Sequence, residues 1–381
     1  MSVILSTDSA GRAGALLFLK YHFAGAFMKY KIKSKATPTG RLLHKLKSTK
    51  AKASFMLLLI FFILILTGCN GGEVKAQLYA MNTVVDLTFY GGDETALVSS
   101  ELNRLESILS VTREQSDISK INASNGNTVT VSEDTANVLK TAQTVYSDTQ
   151  GCFDPTIYPV LRLWGFTGDS FRVPADSEIN GALEKVGFAS VSIDGCSLTA
   201  PKGVELDLGG IGKGYAGKMC RDLLKKSSVQ SALLSIGGNV QTVGLKPDGS
   251  RWTVALKNPD GGDALCKISI GECAVVTSGG YERYFEENGK RYHHIIDPKT
   301  GRPAESEFKS VTVICEDGAV ADALSTAFYV GGREVISKYL SGNSDVEVIL
   351  YTNDNKLEAT SGIKENIRDC TVQLYGAIKE R

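Results

Sequence analysis

Histidine is nearly absent from this chain. Of its 381 residues only four are histidine, and two of those, His22 and His44, stand in a lysine-rich N-terminal stretch. Any imidazole chemistry in the remainder must therefore use His293 or His294. An excess of charge is also missing, with 42 basic against 42 acidic residues, which excludes the basic footprint of a nucleic-acid binder. No C-x-x-C pair occurs. Beyond Cys69 the cysteines (Cys152, Cys196, Cys220, Cys266, Cys273, Cys315 and Cys370) are odd in number and scattered. That pattern suggests neither a disulfide scaffold nor a zinc site, and most are expected to be small buried hydrophobes. Internal repeats and low-complexity tracts are absent too. The one long apolar run, residues 55–66, falls short of the roughly 20 residues that span a bilayer.

That run still carries information. Lys45, Lys47, Lys50 and Lys52 precede it, and Leu66-Thr67-Gly68-Cys69 closes it. A basic region, a short apolar region and small residues describe a secretory signal. Leu-Thr-Gly-Cys is similar to the lipobox of bacterial lipoproteins, in which the cysteine is lipidated and becomes the new N-terminus. Residues 1–69 are therefore expected to be a leader and lipoprotein signal, with translation starting at Met28 and Cys69 lipidated. The protein is expected in the cell envelope, extracytoplasmic and held to a membrane by acyl chains, each buried CH₂ contributing about 0.8 kcal/mol. The alternative is an uncleaved N-terminal anchor.

About 310 residues remain, enough for one large domain or two packed lobes. Residues 70–77 read as a linker and 78–381 as the domain. Residues 78–90 alternate like a strand, and 94–110 and 133–149 carry helical spacing. The Pro- and Gly-punctuated stretch 151–168 reads as a structured loop. A hairpin at 191–200, strands at 204–208, 232–236, 252–257, 266–270, 274–277 and 308–315, and helices at 211–226 and 319–330 follow. Strands outnumber helices without strict alternation, which predicts an α+β fold.

Three segments carry chemistry. VELDL runs into GGIGKGYAGK, where Gly212, Gly214 and Gly217 fit G-x-G-x-x-G. The acidic partner of a dinucleotide fingerprint is missing, and Met219 after Lys218 rules out a Walker A motif. What remains is either a helix start offering N–H groups to phosphates or a turn whose glycines serve close packing. Gly237-Gly238-Asn239 ends another strand in a similar way. In DGAVADALSTAFYVGG, Asp322 and Thr326 share a helix face with Ser325 adjacent, a set that suits a hard cation such as Mg²⁺ or merely caps a helix. Residues 281–303, YERYFEENGKRYHHIIDPKTGRP, place both histidines beside a tight Asp-Pro turn.

Six blocks together resemble the ApbE family of bacterial FAD:protein FMN transferases: AMNTVVDLTFYG, CFDPTIYPVLRLWGF, ELDLGGIGKGYAGK, LLSIGGNVQTVG, YERYFEENGKRYHHIIDPKTGRPAE and ADALSTAF. They occur in the family's order over residues 80–328. The resemblance implies a two-lobed α+β fold with mixed and antiparallel sheets, and FAD in the cleft between lobes. It implies transfer of the FMN half of FAD to a Thr or Ser of an extracytoplasmic target, such as a membrane redox-pump subunit, with AMP leaving. By position, Met81, Cys152, Phe153, Asp154, Asp207, Lys213 and Ile296 match residues that hold FAD, Cys152 replacing a usual Ala. Gly210, through its carbonyl, Asp322 and Thr326 match metal ligands, and Ser325 replaces a second Asp of some members. His294 matches the catalytic histidine, as proton acceptor or electrostatic group. The rival readings are a Mg²⁺-dependent FAD pyrophosphatase and a non-catalytic flavin-binding lipoprotein.

Overall fold

A computed structural model describes residues 72–168 and 170–378. The expected leader, Met28 start and lipidated Cys69 lie outside the described residues. No described helix is long and apolar enough to cross a membrane.

Among the described residues nine strands form one sheet: β1 Val74–Ala80, β2 Thr83–Tyr90, β3 Ser231–Ile236, β4 Asn239–Val243, β5 Ala274–Ser278, β6 Phe308–Cys315, β7 Glu347–Thr352, β8 Leu357–Ala359 and β9 Leu374–Ala377. Their order across the sheet is their order along the chain. All neighbours are antiparallel except β8 and β9. The α+β expectation holds. The strand expected over 78–90 is two strands, turned at Met81 and Asn82, both with φ above +50°. Residues 74–77, read as linker, belong to β1.

Alternate residues of each central strand face opposite sides. Val311 and Val313 of β6 join the first apolar cluster, whereas Ile314 joins the second. The first cluster packs against helices α1 Thr95–Leu109, α2 Asp117–Asn122, α3 Glu133–Asp148, α6 Gly212–Leu224 and α7 Gly318–Leu340. Between α3 and α6 the chain makes α4 Tyr158–Trp164 and α5 Asp176–Leu183. The helices form where the sequence permits. Leu102, Leu105 and Leu109 line one buried stripe of α1, and Ser132 caps α3 by accepting from the Thr135 N–H. The second cluster packs against a three-stranded sheet of 252–256, 266–270 and 367–368. The architecture is thus helices, nine-stranded sheet, small sheet.

A third cluster gathers Trp164 of α4, Phe166, Ile179 of α5 and Ile296, beside the hairpin Tyr284–Glu287/Lys290–His293. Two local expectations need correction here. The expected loop over 151–168 contains a 3₁₀ turn, Pro155–Ile157, and α4. Its prolines stand at the starts of these helices, where a missing N–H costs nothing. The expected strand over 204–208 joins no sheet among the described residues. Leu206 at its centre is paired by a side chain instead: Asn122 accepts from the Leu206 N–H at 2.7 Å and donates to the Leu206 carbonyl at 2.9 Å.

Candidate active site

Strand registers locate the site. Met81-Asn82 turns β1 into β2, and Gly237-Gly238 turns β3 into β4 at the same sheet end, since Val85 pairs with Ile236. Both glycines have positive φ, as a two-residue hairpin turn requires. Val275 pairs with Val240, so Ser278, three residues on, emerges level with these turns. Met81 is held in its left-handed conformation by a 2.9 Å bond from its N–H to the Glu106 carboxylate of α1.

Helices α6 and α7 meet over this end with almost no space between them. A Cβ at Gly214 would lie 2.0 Å from the Gly318 carbonyl oxygen and 2.6 Å from the Asp322 Cβ. Glycine at this crossing therefore serves close packing. The same contact lets the Gly214 N–H donate to Asp322 Oδ2 at 2.8 Å. The Gly212 N–H is likewise taken, by the Leu208 carbonyl at 2.7 Å. The start of α6 thus spends at least two of its N–H groups inside the protein, one of them on a carboxylate. A helix N-terminus stabilises such an anion.

Asp322 is 4% exposed, and its other oxygen, Oδ1, faces Lys213 Nζ at 4.0 Å. Thr326 stands one turn along α7, with its hydroxyl 3.3 Å from Ser278 Oγ. Ser278 is also 2.8 Å from Ser325, whose hydroxyl donates back to the Asp322 carbonyl. Gly210 completes the group: a Cβ there would sit 3.7 Å from Thr326 Oγ1 and 3.0 Å from the Phe153 ring. The expected metal ligands Gly210, Asp322 and Thr326 therefore converge. Among the described residues no three His, Cys, Asp or Glu side chains gather at one point. A cation here would rest on one carboxylate and neutral oxygens, a donor set that fits Mg²⁺, which takes further oxygens from water and phosphate.

His294 lies within the electrostatic reach of Lys213. Its Nδ1 is 3.1 Å from the Arg283 carbonyl. A carbonyl only accepts, so Nδ1 carries the proton and Nε2 keeps a lone pair. Burial, with His293, Lys213 and Arg283 adding positive charge nearby, pushes the imidazole pKa down to about 4. It is neutral at pH 7 with Nε2 open to accept a proton. His293 differs. Its Nε2 is 3.1 Å from the Ala304 carbonyl, its Nδ1 is buried with no hydrogen-bond partner among the described residues, and its ring meets Tyr329 edge to face.

The remaining expected residues divide into two kinds. Asp207 accepts from the Gly209 N–H at 2.5 Å and shapes the turn into α6; burial raises its pKa, against the pull of Gly209, Lys213 and Arg283. Asp154 is committed to structure. One oxygen accepts from the Thr156 N–H and hydroxyl, and the other from the Phe188 N–H. Burial raises its pKa as well. Cys152 and Phe153 are buried, and Ile296 lies in the Trp164 cluster. Sequence reasoning missed Ser278, Glu106 and Arg283. No local pattern marks Ser278 or Glu106, because only the sheet register and the α1 packing bring them in. Arg283 was findable as the cation eleven residues before His294; its guanidinium donates to the Phe166 carbonyl while its own carbonyl fixes the imidazole.

A carboxylate and hydroxyls facing a lysine, with a neutral imidazole alongside, suit an enzyme acting on a phosphate ester or anhydride. The family model described as the ApbE family matches residues 81–350, and the chain belongs to this family. It is 35% identical to the FAD:protein FMN transferase of Klebsiella pneumoniae, over 74% of this chain and 90% of that protein. It is 32% identical to the Treponema pallidum enzyme of the same name, over 79% and 92%. Among solved structures, the ApbE protein of Thermotoga maritima superposes with a TM-score of 0.72 at 34% identity, covering 78% of this chain and all of that one. The flavin transferase ApbE of Vibrio cholerae gives 0.70 at 30% identity, over 77% and 99%.

Proposed function

We propose that this member of the FAD:protein FMN transferases moves the FMN half of FAD onto a Thr or Ser hydroxyl of an extracytoplasmic protein, in a Mg²⁺-dependent reaction that releases AMP. The observation that carries this reading is the meeting of Asp322, Thr326, Ser278, Gly210 and Lys213 at one sheet end, with His294 in the field of Lys213.

The acceptor oxygen attacks the FMN phosphorus, the bond to the AMP phosphate breaks, and the hydroxyl proton needs a base. Neutral His294, with Nδ1–H tied to Arg283, is oriented to take that proton on Nε2. Asp322, Thr326 and the Gly210 carbonyl would hold Mg²⁺, which when bound supplies charge neutralisation at the pyrophosphate oxygens. Lys213 adds a positive charge beside them, and the Gly214 N–H holds the Asp322 carboxylate in place. FAD would lie between the Met81 turn and the Phe153 edge.

Export also belongs to this proposal. β1 begins five positions after Cys69, so a lipid on that cysteine would hold the enzyme close to a membrane. A covalent flavin makes sense there, since a lost one is not replaced from the cytosol.

The test mixes the chain from Asn70 onward with FAD, Mg²⁺ and an acceptor domain bearing an exposed Thr, and follows the acceptor by intact mass. A gain of one FMN phosphoester, abolished by EDTA, is the expected result. AMP and FMN released with no gain on the acceptor would indicate a pyrophosphatase instead.

A further inference from the structure

The small sheet on the far face holds a pair of cysteines in an unusual register. Ile367 pairs with Ile268 and Arg368 with Lys267, and the Ser269 N–H bonds to the Asn366 carbonyl in the same frame. Past Arg368 the frame slips by one. The Thr371 N–H bonds to the Leu265 carbonyl at 2.9 Å, where an unbroken ladder would present residue 370. Two residues, Asp369 and Cys370, therefore stand opposite the single residue Cys266. Asp369 has a φ of 50°, the left-handed backbone of a bulge's first residue.

Cys266 sits between two hydrogen-bonded pairs, so its own position is of the non-hydrogen-bonded kind. There facing Cα atoms approach to about 4.5 Å, inside the range of roughly 4.4–6.8 Å that a disulfide spans. The two side chains lie close enough for each thiol to bear on the other's ionisation. Cys266 is fully buried in the second apolar cluster, and Cys370 packs against that cluster from its partly exposed rim.

We infer that Cys266 and Cys370, free thiols in this structure, are a disulfide-forming pair that staples the C-terminal segment to the body. In the step, an S–S bond forms between the two Sγ atoms as both S–H bonds are lost. Two electrons and two protons pass to a low-molecular-weight disulfide, which leaves as two thiols. Cys370 is the reachable thiol and meets the oxidant first; Cys266 then displaces the mixed disulfide from within. The segment held in this way, residues 351–378, lies beyond the stretch matched by the family model. It contributes Leu357, Ala359, Ile363 and Ile367 to the second cluster. The scattered cysteines are thus not all inert packing.

The test incubates the folded chain with oxidised glutathione, denatures it in an alkylating agent and maps the peptides. Cys266 and Cys370 are expected unalkylated and cross-linked, with Cys152, Cys196, Cys220, Cys273 and Cys315 alkylated. Adding a reductant is expected to lower the melting temperature by roughly 5 °C or more. In Cys370→Ser that dependence disappears. Alkylation of both residues would overturn the inference, as would a cross-link between Cys273 and Cys315 in their place. A lone glutathione adduct on Cys370, or a melting temperature indifferent to reductant in both chains, would do the same.

Discussion

The two faces of the nine-stranded sheet are built to different ends. On the helical face the tightest contact in the site, Gly214 against Gly318, exists so that a backbone N–H can reach a carboxylate. Polar atoms there are held by other polar atoms in short chains: Ser278 to Ser325 to the Asp322 carbonyl. On the far face Trp252, Val254, Ile268 and Ile349 fill the space between two sheets. The contrast teaches that loss of activity and loss of stability should separate by face.

The largest break in that contrast comes from Asp322→Ala. Removing the one carboxylate of the cluster is expected to lower flavin transfer by about 1000-fold, read as acceptor mass gained per minute at saturating FAD. His294→Ala is expected to cost about 100-fold in transfer with FAD affinity, measured by fluorescence quenching, nearly unchanged. An equal loss in both would make His294 a binding residue only.

The pH dependence sharpens the same point. Because the His294 pKa is depressed to about 4, transfer should show no inflection from this group near 6.5 and should fall as pH drops through about 4. Its linkage to stability has a defined sign. The unfolded imidazole binds a proton below about 6.5 and the folded one does not. Stability from this group is therefore full above 6.5 and lost as pH falls from there toward 4. Melting curves of the parent and His294→Ala chains over that window should converge at the acid end.

Gly214→Ala tests the crossing itself. A methyl 2.0 Å from a carbonyl oxygen must push α6 from α7, costing about 1–3 kcal/mol of stability. Turnover should drop by about tenfold, the equivalent of 1.4 kcal/mol, as Asp322 shifts. The smallest effect on turnover belongs to the far face. Ile268→Ala, at a fully buried position, should cost about 2–5 kcal/mol in urea unfolding. Transfer per folded molecule should stay at the parental level. A large loss of turnover there would break the division between faces.

Much of this was legible beforehand. Apolar spacing marked α1, α3, α6 and the first part of α7, and the six blocks named residues that do converge, Gly210, Asp322 and Thr326 among them. What escaped was set by distant partners. Alternation in VELDL looked like a strand, but Leu206 at its centre is paired by the Asn122 side chain, 84 positions away. Pro155 and Pro159 hid two short helices because the same residue that breaks a helix interior opens a first turn. The Met81-Asn82 turn carried no glycine to announce it, and its support, Glu106, is 25 residues off. The resemblance singled out His294 over His293, but the basis of the difference was invisible, since the ring nitrogen each imidazole ties to a carbonyl is set by distant partners.

The agreement between sheet order and chain order has a consequence for how the molecule comes into being. Each new strand of the sheet can join the edge left by the one before, so the scaffold can assemble vectorially as the chain emerges. The site cannot. Gly214 and Asp322 are 108 residues apart, and the carboxylate reaches its N–H partner only after six of the nine strands have been delivered. A chain interrupted before that point can have most of its sheet and still hold no catalytic centre, so competence arrives late and at one stroke.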